Sequence, residues 1–447
     1  GGLTMDATGA ENYCTVIDIE PSSLNSELIW VGTDDGNVQI TRNGGETWTN
    51  VGGNLPGLPK GTWITQIKAS NKNQGEALLV ANDYRRFNYT PYAYRTKDYG
   101  QTWERIVDSN DVVSYTLSIV EDPEESRLLF LGTDDGLYVS IDAGANWTKW
   151  DSEGFPTTNA YDLVVHPTEH DLVIGTFGRA IWVMDDIRPL REIARNGSST
   201  LNKTLNLYDP PVAYVASNQQ PKGSRFGGDA LYNGENRPYG AMLSYSINRP
   251  EEEKKDEMED DKKSKKRKKN AESEEEEKKE EKVSYDSLTI EIINGDEVIR
   301  TLKSKAPEKN GIHRTFWYMD EKGTDRMSRR DRRGNRESGG VTVLPGSYKV
   351  RFTLGDQKDS TNIEVKYDPR IELSNAAIRA QYNTLKSLET KYAIGVKAVD
   401  RLKESIDIAT GIQGDLKKKD KEGFKEQLEL CKSTLDTLNS MLDVFLG

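Results

Sequence analysis

The 447-residue sequence predicts a mainly β chain: a partial β-propeller of four blades, then a β-sandwich, then a C-terminal α-helical hairpin. Three observations predict it. One eight-residue turn pattern ending in Trp48, Trp103 and Trp147 recurs at roughly 45–55 residues, the length of a four-stranded blade. Strand-like alternation returns between Ala241 and Val365. From Ser374 onward, two apolar stripes run at steps of three and four residues.

The repeat assigns residues 1–194 to the propeller. Its copies are Thr41-Arg42-Asn43-Gly44-Gly45-Glu46-Thr47-Trp48, Thr96-Lys97-Asp98-Tyr99-Gly100-Gln101-Thr102-Trp103 and Ser140-Ile141-Asp142-Ala143-Gly144-Ala145-Asn146-Trp147. The frame is Ser/Thr-x-Asp-x-Gly-x-x-Trp, with Asn43 where the other copies have Asp98 and Asp142. A carboxylate or amide side chain bonds nearby backbone amides, and Gly supplies a positive φ. The Trp then opens the next strand and covers the turn from below. A second signature precedes each box: Val31-Gly32-Thr33-Asp34-Asp35-Gly36, Val80-Ala81-Asn82-Asp83 with a longer insertion, and Leu131-Gly132-Thr133-Asp134-Asp135-Gly136. A fourth unit, Ile174-Gly175-Thr176-Phe177-Gly178-Arg179, keeps the Gly-Thr start and lacks the box.

These boxes resemble the bacterial neuraminidase (BNR) or Asp-box repeat, and Tyr13 to Ile193 looks like the sortilin-type propeller proteins of bacteria. The likeness rests on Trp30 to Gly36, the Thr96–Trp103 box, and His166-Pro167 followed by Gly175 to Trp182. It implies an extracytoplasmic protein (periplasm, cell surface or secreted) with protein or peptide ligands. Four such blades seldom close a ring, and an open stack exposes strand edges. Further blades are therefore expected, from a preceding part of the same polypeptide or from a second chain. The Gly1-Gly2 start, with no initiator Met or signal peptide, reads as a cleaved or trimmed product.

Residues 195–237 read as a linker, on turn signals such as Asp209-Pro210-Pro211. Residues 238–370 follow as a small antiparallel sandwich, and its layout around Gly311–Trp317 and Pro345–Tyr348 resembles an Ig-like module. A charged insert, 250–282, is too polar to fold alone. The arginine-rich stretch 325–333 reads as a polar hairpin loop; it lacks the interleaved aromatics that single-stranded nucleic acid would stack on. Residues 371–447 form the helical hairpin, capped by Ser374, with Gly411 and Gly414 expected to end the first helix.

Composition excludes several classes. With 73 acidic against 61 basic residues, the net charge of −12 argues against nucleic acid as a partner. Three histidines and two cysteines, Cys14 and Cys431, give no metal set, and no cofactor motif appears. No apolar run is long enough to span a membrane.

Candidate ligand-binding residues are Asp34, Asp35, Asp83, Asp134, Asp135 and Arg179. Asp34, Asp83 and Asp134 occupy one equivalent position in successive blades, near the propeller axis. They form either an acidic arc for a cation, a basic peptide or a sugar, or a set of Asp turns that only shape hairpins. Tandem-propeller xyloglucanase-type glycoside hydrolases look similar here, with a Thr-Asp pair supplying a catalytic carboxylate. Thr33-Asp34 and Thr133-Asp134 match that local pattern, so Asp34 and Asp134 are the catalytic candidates. That chemistry needs a second carboxylate from a facing propeller. Asn43, Trp48, Asp98, Trp103, Asp142 and Trp147 are expected to be structural. The main expectation is a binding or scaffold protein; the alternative is a glycan-cleaving hydrolase.

Overall fold

The computed structural model describes residues 14–151, 154–216, 237–249, 284–329 and 337–446. The charged insert 250–282 and residues 330–333 of the arginine-rich stretch lie outside the described residues. The chain divides into two compact units, Gly1–Asn202 and Lys203–Gly447.

The first unit is a succession of antiparallel sheets, each a meander. Sheet one holds β1 (Val16–Ser22), β2 (Asn25–Thr33), β3 (Val38–Thr41) and β4 (Thr49–Asn50). Sheet two holds β5 (Trp63–Ala69), β6 (Ala77–Asp83), β7 (Asn88–Thr96) and β8 (Glu104–Arg105). Sheet three holds β9 (Thr116–Glu121), β10 (Leu129–Thr133), β11 (Gly136–Ser140) and β12 (Thr148–Lys149). Sheet four has three strands, β13 (Ala160–Val165), β14 (Leu172–Thr176) and β15 (Ile181–Met184), and is followed by helix α1 (Arg188–Asn196).

Sheet-on-sheet burial explains the apolar runs. In β6, Ala77, Leu79 and Ala81 pack with Trp30, Val38 and Ile40 of sheet one. The alternate residues Leu78 and Val80 pack with Ile119, Leu129 and Leu131 of sheet three. A strand covered on both faces reads as continuous hydrophobic sequence, as β6 does. Each inner strand also carries a register shift near its start, between Val16 and Asp18, Ile64 and Gln66, Thr116 and Ser118, and Ala160 and Asp162. A bulge there increases local twist in the same place in every sheet. Neighbouring sheets come close enough that a Cβ on Gly132 would lie 2.2 Å from the Ala160 carbonyl oxygen.

α1 is fastened by charge. The Arg191 guanidinium reaches both carboxylate oxygens of Asp122 at 2.8 Å, and both side chains are almost fully buried. Arg195 adds a contact to Glu125 at 3.2 Å.

The second unit pairs a three-stranded sheet with a five-stranded one. The first is ordered β16 (Leu205–Leu207), β18 (Ala241–Ile247), β21 (Gly311–Trp317). The second combines β17 (Ala213–Val215), β19 (Ser287–Asn294), β20 (Glu297–Lys305), β24 (Gly346–Leu354) and β25 (Gln357–Tyr367) in the order β17-β25-β24-β19-β20. A two-stranded ribbon, β22 (Asp320–Lys322) and β23 (Gly339–Thr342), lies beside them in sequence. Leu243, Tyr245 and Trp317 from one sheet and Ile290, Val350, Phe352 and Ile363 from the other share one core.

The linker expected at 195–237 is corrected over its described part, and residues 217–236 of it lie outside the described residues. β16 pairs with β18, and β17 adds parallel to the edge strand β25. Both are only three residues long, too short for periodicity to reveal among Pro and Asp turn signals.

The hairpin consists of α2 (Asn375–Lys419) and α3 (Lys425–Leu446). The Ser374 side chain accepts from the Ala377 amide at 3.2 Å, as a cap should. Gly411 and Gly414 do not end the helix; α2 runs through both to Lys419. Isolated glycines weaken a helix but leave its backbone hydrogen bonds available. The early part of α2 is held by Glu321 of β22, which receives the Tyr382 hydroxyl and pairs with Lys386 at 3.0 Å. Among the described residues no helix is long and apolar enough to cross a membrane.

Candidate functional site

The three boxes are superimposable in their bonding. The hydroxyls of Thr41, Thr96 and Ser140 donate to Asn43, Asp98 and Asp142 at 2.9, 2.9 and 2.8 Å. The same hydroxyls accept from the amides of Gly45, Gly100 and Gly144 at 2.9, 2.9 and 2.8 Å. The Asx oxygen then accepts the amide of Thr47, Thr102 or Asn146 at 3.0, 2.8 and 2.9 Å. Asn43 keeps the geometry by donating its amide to Thr47 where Asp98 accepts from Thr102. Hydrogen bonds from Thr102 hold the Asp98 carboxyl below its usual range. Burial opposes ionisation of Asp142, but the Asn146 and Ser140 bonds outweigh it and its pKa is lowered too.

The tryptophans beneath these turns tie one sheet to the one before. Trp103 packs edge-on against Trp30 of sheet one, with ring centroids 6.0 Å apart. The Trp147 indole donates to the Ile106 carbonyl of sheet two at 2.7 Å. They are 7% and 6% exposed, whereas Trp48 of sheet one is 44% exposed.

At the turns between second and third strands, the amides of Asp34, Asp134 and Phe177 donate to the carbonyls of Thr15, Tyr115 and Asn159 at 3.1, 3.2 and 3.1 Å, so these three positions are equivalent. The acidic side chains there are occupied. Asp34 is buried and accepts the amides of Cys14 and Thr15 at 2.9 and 2.8 Å. Asp83 is buried, ion-paired with Arg86 at 2.5 Å and bonded to Asn88 at 3.2 Å. Asp134 receives the Tyr115 hydroxyl at 2.9 Å and the Asn159 amide group at 2.7 Å. Burial, reinforced by that bond to Asp134, raises the Tyr115 phenol. Asp35 takes bonds from Thr33 and Asn37, which outweigh its burial and lower its pKa, and Asp135 pairs with Lys149 at 2.9 Å.

What this end of the sheets leaves open is aromatic. The insertion after Asp83 forms a short turn whose apex, Phe87, is 85% exposed at φ +60°, an unfavourable conformation for a bulky residue. Tyr84 stacks on Tyr115 at 4.9 Å, Tyr89 lies 6.1 Å from Tyr115, and the Arg85 guanidinium sits 3.8 Å over the Trp63 ring. In sheet four the equivalent of Asp34 is Phe177, 76% exposed, with the exposed Arg179 beside it. Sequence reasoning singled out Arg179 and not the aromatics. The longer spacing between Asp83 and its box was the signal available.

At the opposite end of sheets two and three, Arg95 lies between Glu76 at 3.4 Å and Glu121 at 3.5 Å. Glu121 and Glu76 line a cavity of about 150 Å³. Burial pushes Glu121 up to about 7, against the opposing pull of Arg95. Among the described residues no group of three or more His, Cys, Asp or Glu side chains is arranged for a metal.

The chain is similar in part to several known proteins. Over 151 residues the chain is 28% identical to xyloglucanase Xgh74A of Acetivibrio thermocellus, a stretch covering 29% of this chain and 16% of that protein. Among solved structures, the GH74 xyloglucanase of Xanthomonas campestris aligns at TM-score 0.30 and 15% identity, over 38% of this chain and 29% of its own. YCF48 bound to D1 peptide aligns at TM-score 0.27 and 17% identity, over 38% of this chain and 55% of its own. Residues 92–204 match the family model described as sortilin, neurotensin receptor 3. The three boxes share one turn geometry, so the sheets of the first unit are of the BNR/Asp-box β-propeller type, and residues 92–204 are similar to the sortilin family.

Proposed function

We propose that this chain belongs to an extracytoplasmic binding or scaffold protein whose propeller recognises a protein or peptide at the turns between second and third strands. One observation carries this reading. Asp34, Asp83 and Asp134, the repeated carboxylates of that end, are bonded internally, while the exposed groups are Phe87, Tyr89, Phe177 and Arg179. Exposed aromatics with a neighbouring Arg are the residue types that dominate protein recognition energetics. The sortilin-like match supports the same class of ligand. On this reading the second unit is an Ig-like module with a helical handle, contributing support and not chemistry.

The test is selection of peptides from a displayed random library on the 447-residue chain. Selected peptides should lose at least about tenfold in affinity when Phe87 and Tyr89 are both changed to Ala, which is ~1.4 kcal/mol or more. The melting temperature should stay unchanged.

A glycoside hydrolase is the second reading, favoured by the identity to Xgh74A and by the Thr33-Asp34 and Thr133-Asp134 pairs. It requires two carboxyl groups about 5–10 Å apart across a cleft. Release of reducing sugar from xyloglucan, abolished by Asp34→Asn or Asp134→Asn, would establish it and displace the binding reading.

A further inference from the structure

Each helix of the C-terminal hairpin carries two stripes where the helices lie side by side. The first faces inward. Val399, Leu402 and Ile406 of α2 and Leu435, Leu438 and Leu442 of α3 recur at steps of three and four, and all are buried or half-buried where the helices pack together. The second stripe stands one residue earlier. It comprises Ile394, Ala398, Arg401, Ser405, Ile408 and Ile412 of α2, and Leu430, Thr434, Thr437, Met441 and Val444 of α3. Ile394, Ile408, Ile412, Leu430, Met441 and Val444 are each half or more exposed. These second stripes flank one groove of about 440 Å³, lined by Ala398, Arg401 and Ser405 on one side and Met441, Val444 and Phe445 on the other. We infer that the groove is a self-association surface, which the same groove of a second copy of this chain closes into a four-helix bundle.

The angle between the stripes selects the occupant. One residue is about 100° of rotation around an α-helix. In a trio of helices the two neighbours of each lie about 60° apart, and in a square of four about 90°. The stripes therefore fit a square, whose missing side is another hairpin and not a lone helix. A second copy supplies a hairpin of the right length with the same two stripes, both at the seven-residue repeat that knobs-into-holes packing needs. Such a pair is isologous, and it closes. The other side of the hairpin is already taken. There a Cβ on Gly395 would lie 2.3 Å from the Met327 methyl, the Met327 amide donates to the Tyr392 hydroxyl at 3.1 Å, and Arg329 pairs with Asp443 at 2.5 Å. Asp443 and Met441 stand about 200° apart on α3, so this strap and the groove lie on opposite sides.

The chemistry of the groove suits burial. With Phe445 and the Arg401 stem, the exposed side chains offer on the order of 700 Å² per copy, close to the ~800 Å² per partner of a standard interface. The Ser405 and Thr437 hydroxyls donate to the Arg401 and Ser433 carbonyls of their own helices at 2.8 and 2.9 Å. Covering them leaves no donor unpaired. Arg401 is the one charged member of the two stripes, and a single polar residue at such a position fixes register at a cost in stability.

Sedimentation velocity of the 447-residue chain from about 1 to about 100 µM tests this, since dimerisation is set by mass action. The chain should reach twice its monomer mass at the upper end. Ile408→Glu combined with Met441→Glu places four carboxylates in each dimer interface and should weaken it at least about a hundredfold. The melting temperature of the dilute monomer should not change, because both sites are exposed there. Arg401→Leu should tighten the dimer about tenfold, a gain that misfolding cannot imitate. Val298→Glu, at an exposed apolar position on β20, should leave association unchanged. A chain that stays monomeric throughout overturns the inference; if its Ser405→Cys thiol then resists alkylation, the groove belongs to another segment of the same chain. A dimer indifferent to the paired glutamates, or loosened by Arg401→Leu, overturns it as well.

Discussion

Each box depends on one Asx side chain, and Asn43 already shows that an amide can replace the carboxylate. Asp142→Asn should therefore cost little, while Asp142→Ala, which strands the Ser140 hydroxyl and the Asn146 amide, should cost about 1–2 kcal/mol in urea unfolding. The acid dependence has a definite sign. The lowered pKa of Asp142 means its contribution is present above the ordinary carboxylate pKa of 3.8 and is lost as pH falls through the lowered folded value. That acid loss should be smaller in Asp142→Asn. Gly100 adopts φ +79°, and a Cβ there would lie 2.7 Å from the Val51 side chain, so Gly100→Ala should cost about 1–3 kcal/mol. These roles were legible because turn chemistry is local. Tyr99 and Ala143, at φ +62° and +66°, were not, since non-glycine residues give no sign of a left-handed backbone. The bonding of Asp34 was equally hidden, because its partners Cys14 and Thr15 lie some twenty residues away.

Whole elements respond to burial and to charge. Replacing Arg191 by Ala leaves the buried Asp122 carboxylate with the Glu124 and Glu125 amides but without its counter-charge, and should cost about 3–5 kcal/mol, read from the denaturation midpoint. Glu121 acts in the opposite sense to Asp142. Its folded pKa is raised to about 7 from 4.5, so stability declines as pH climbs through that interval and levels off above it. Glu121→Gln should flatten the decline, which a melting-temperature profile between pH 4 and 8 would detect. In α2, Cβ atoms on Gly411 and Gly414 would meet nothing within 4 Å. Changing each to Ala should stabilise by about 0.5–1 kcal/mol. The helices were legible from their stripes, but their extent was not, because tertiary packing carried α2 past residues that propensity marks as breakers. β16 and β17 escaped notice for the converse reason: they become strands through partners far along the sequence, and their own pattern is too brief to show it.

At the scale of the molecule, the succession of sheets was legible because it repeats, and repetition turns a weak local signal into a strong one. The end proposed to bind a partner was less so, since the equivalent carboxylates that sequence singled out are bonded within the fold, and the exposed Phe87 and Tyr89 sit in an insertion after Asp83 that the other units do not share. The second unit ends in an unequal pair of rods. At ~1.5 Å per residue α2 is about 68 Å long and α3 about 33 Å, so the shorter helix can splint only half of the longer. The front half is clamped elsewhere, at Glu321. A protease nick in the exposed connection around Lys421 and Glu422 would therefore loosen the far end alone, leaving a stub still gripped by the ribbon, like a handle sawn through below its upper bracket.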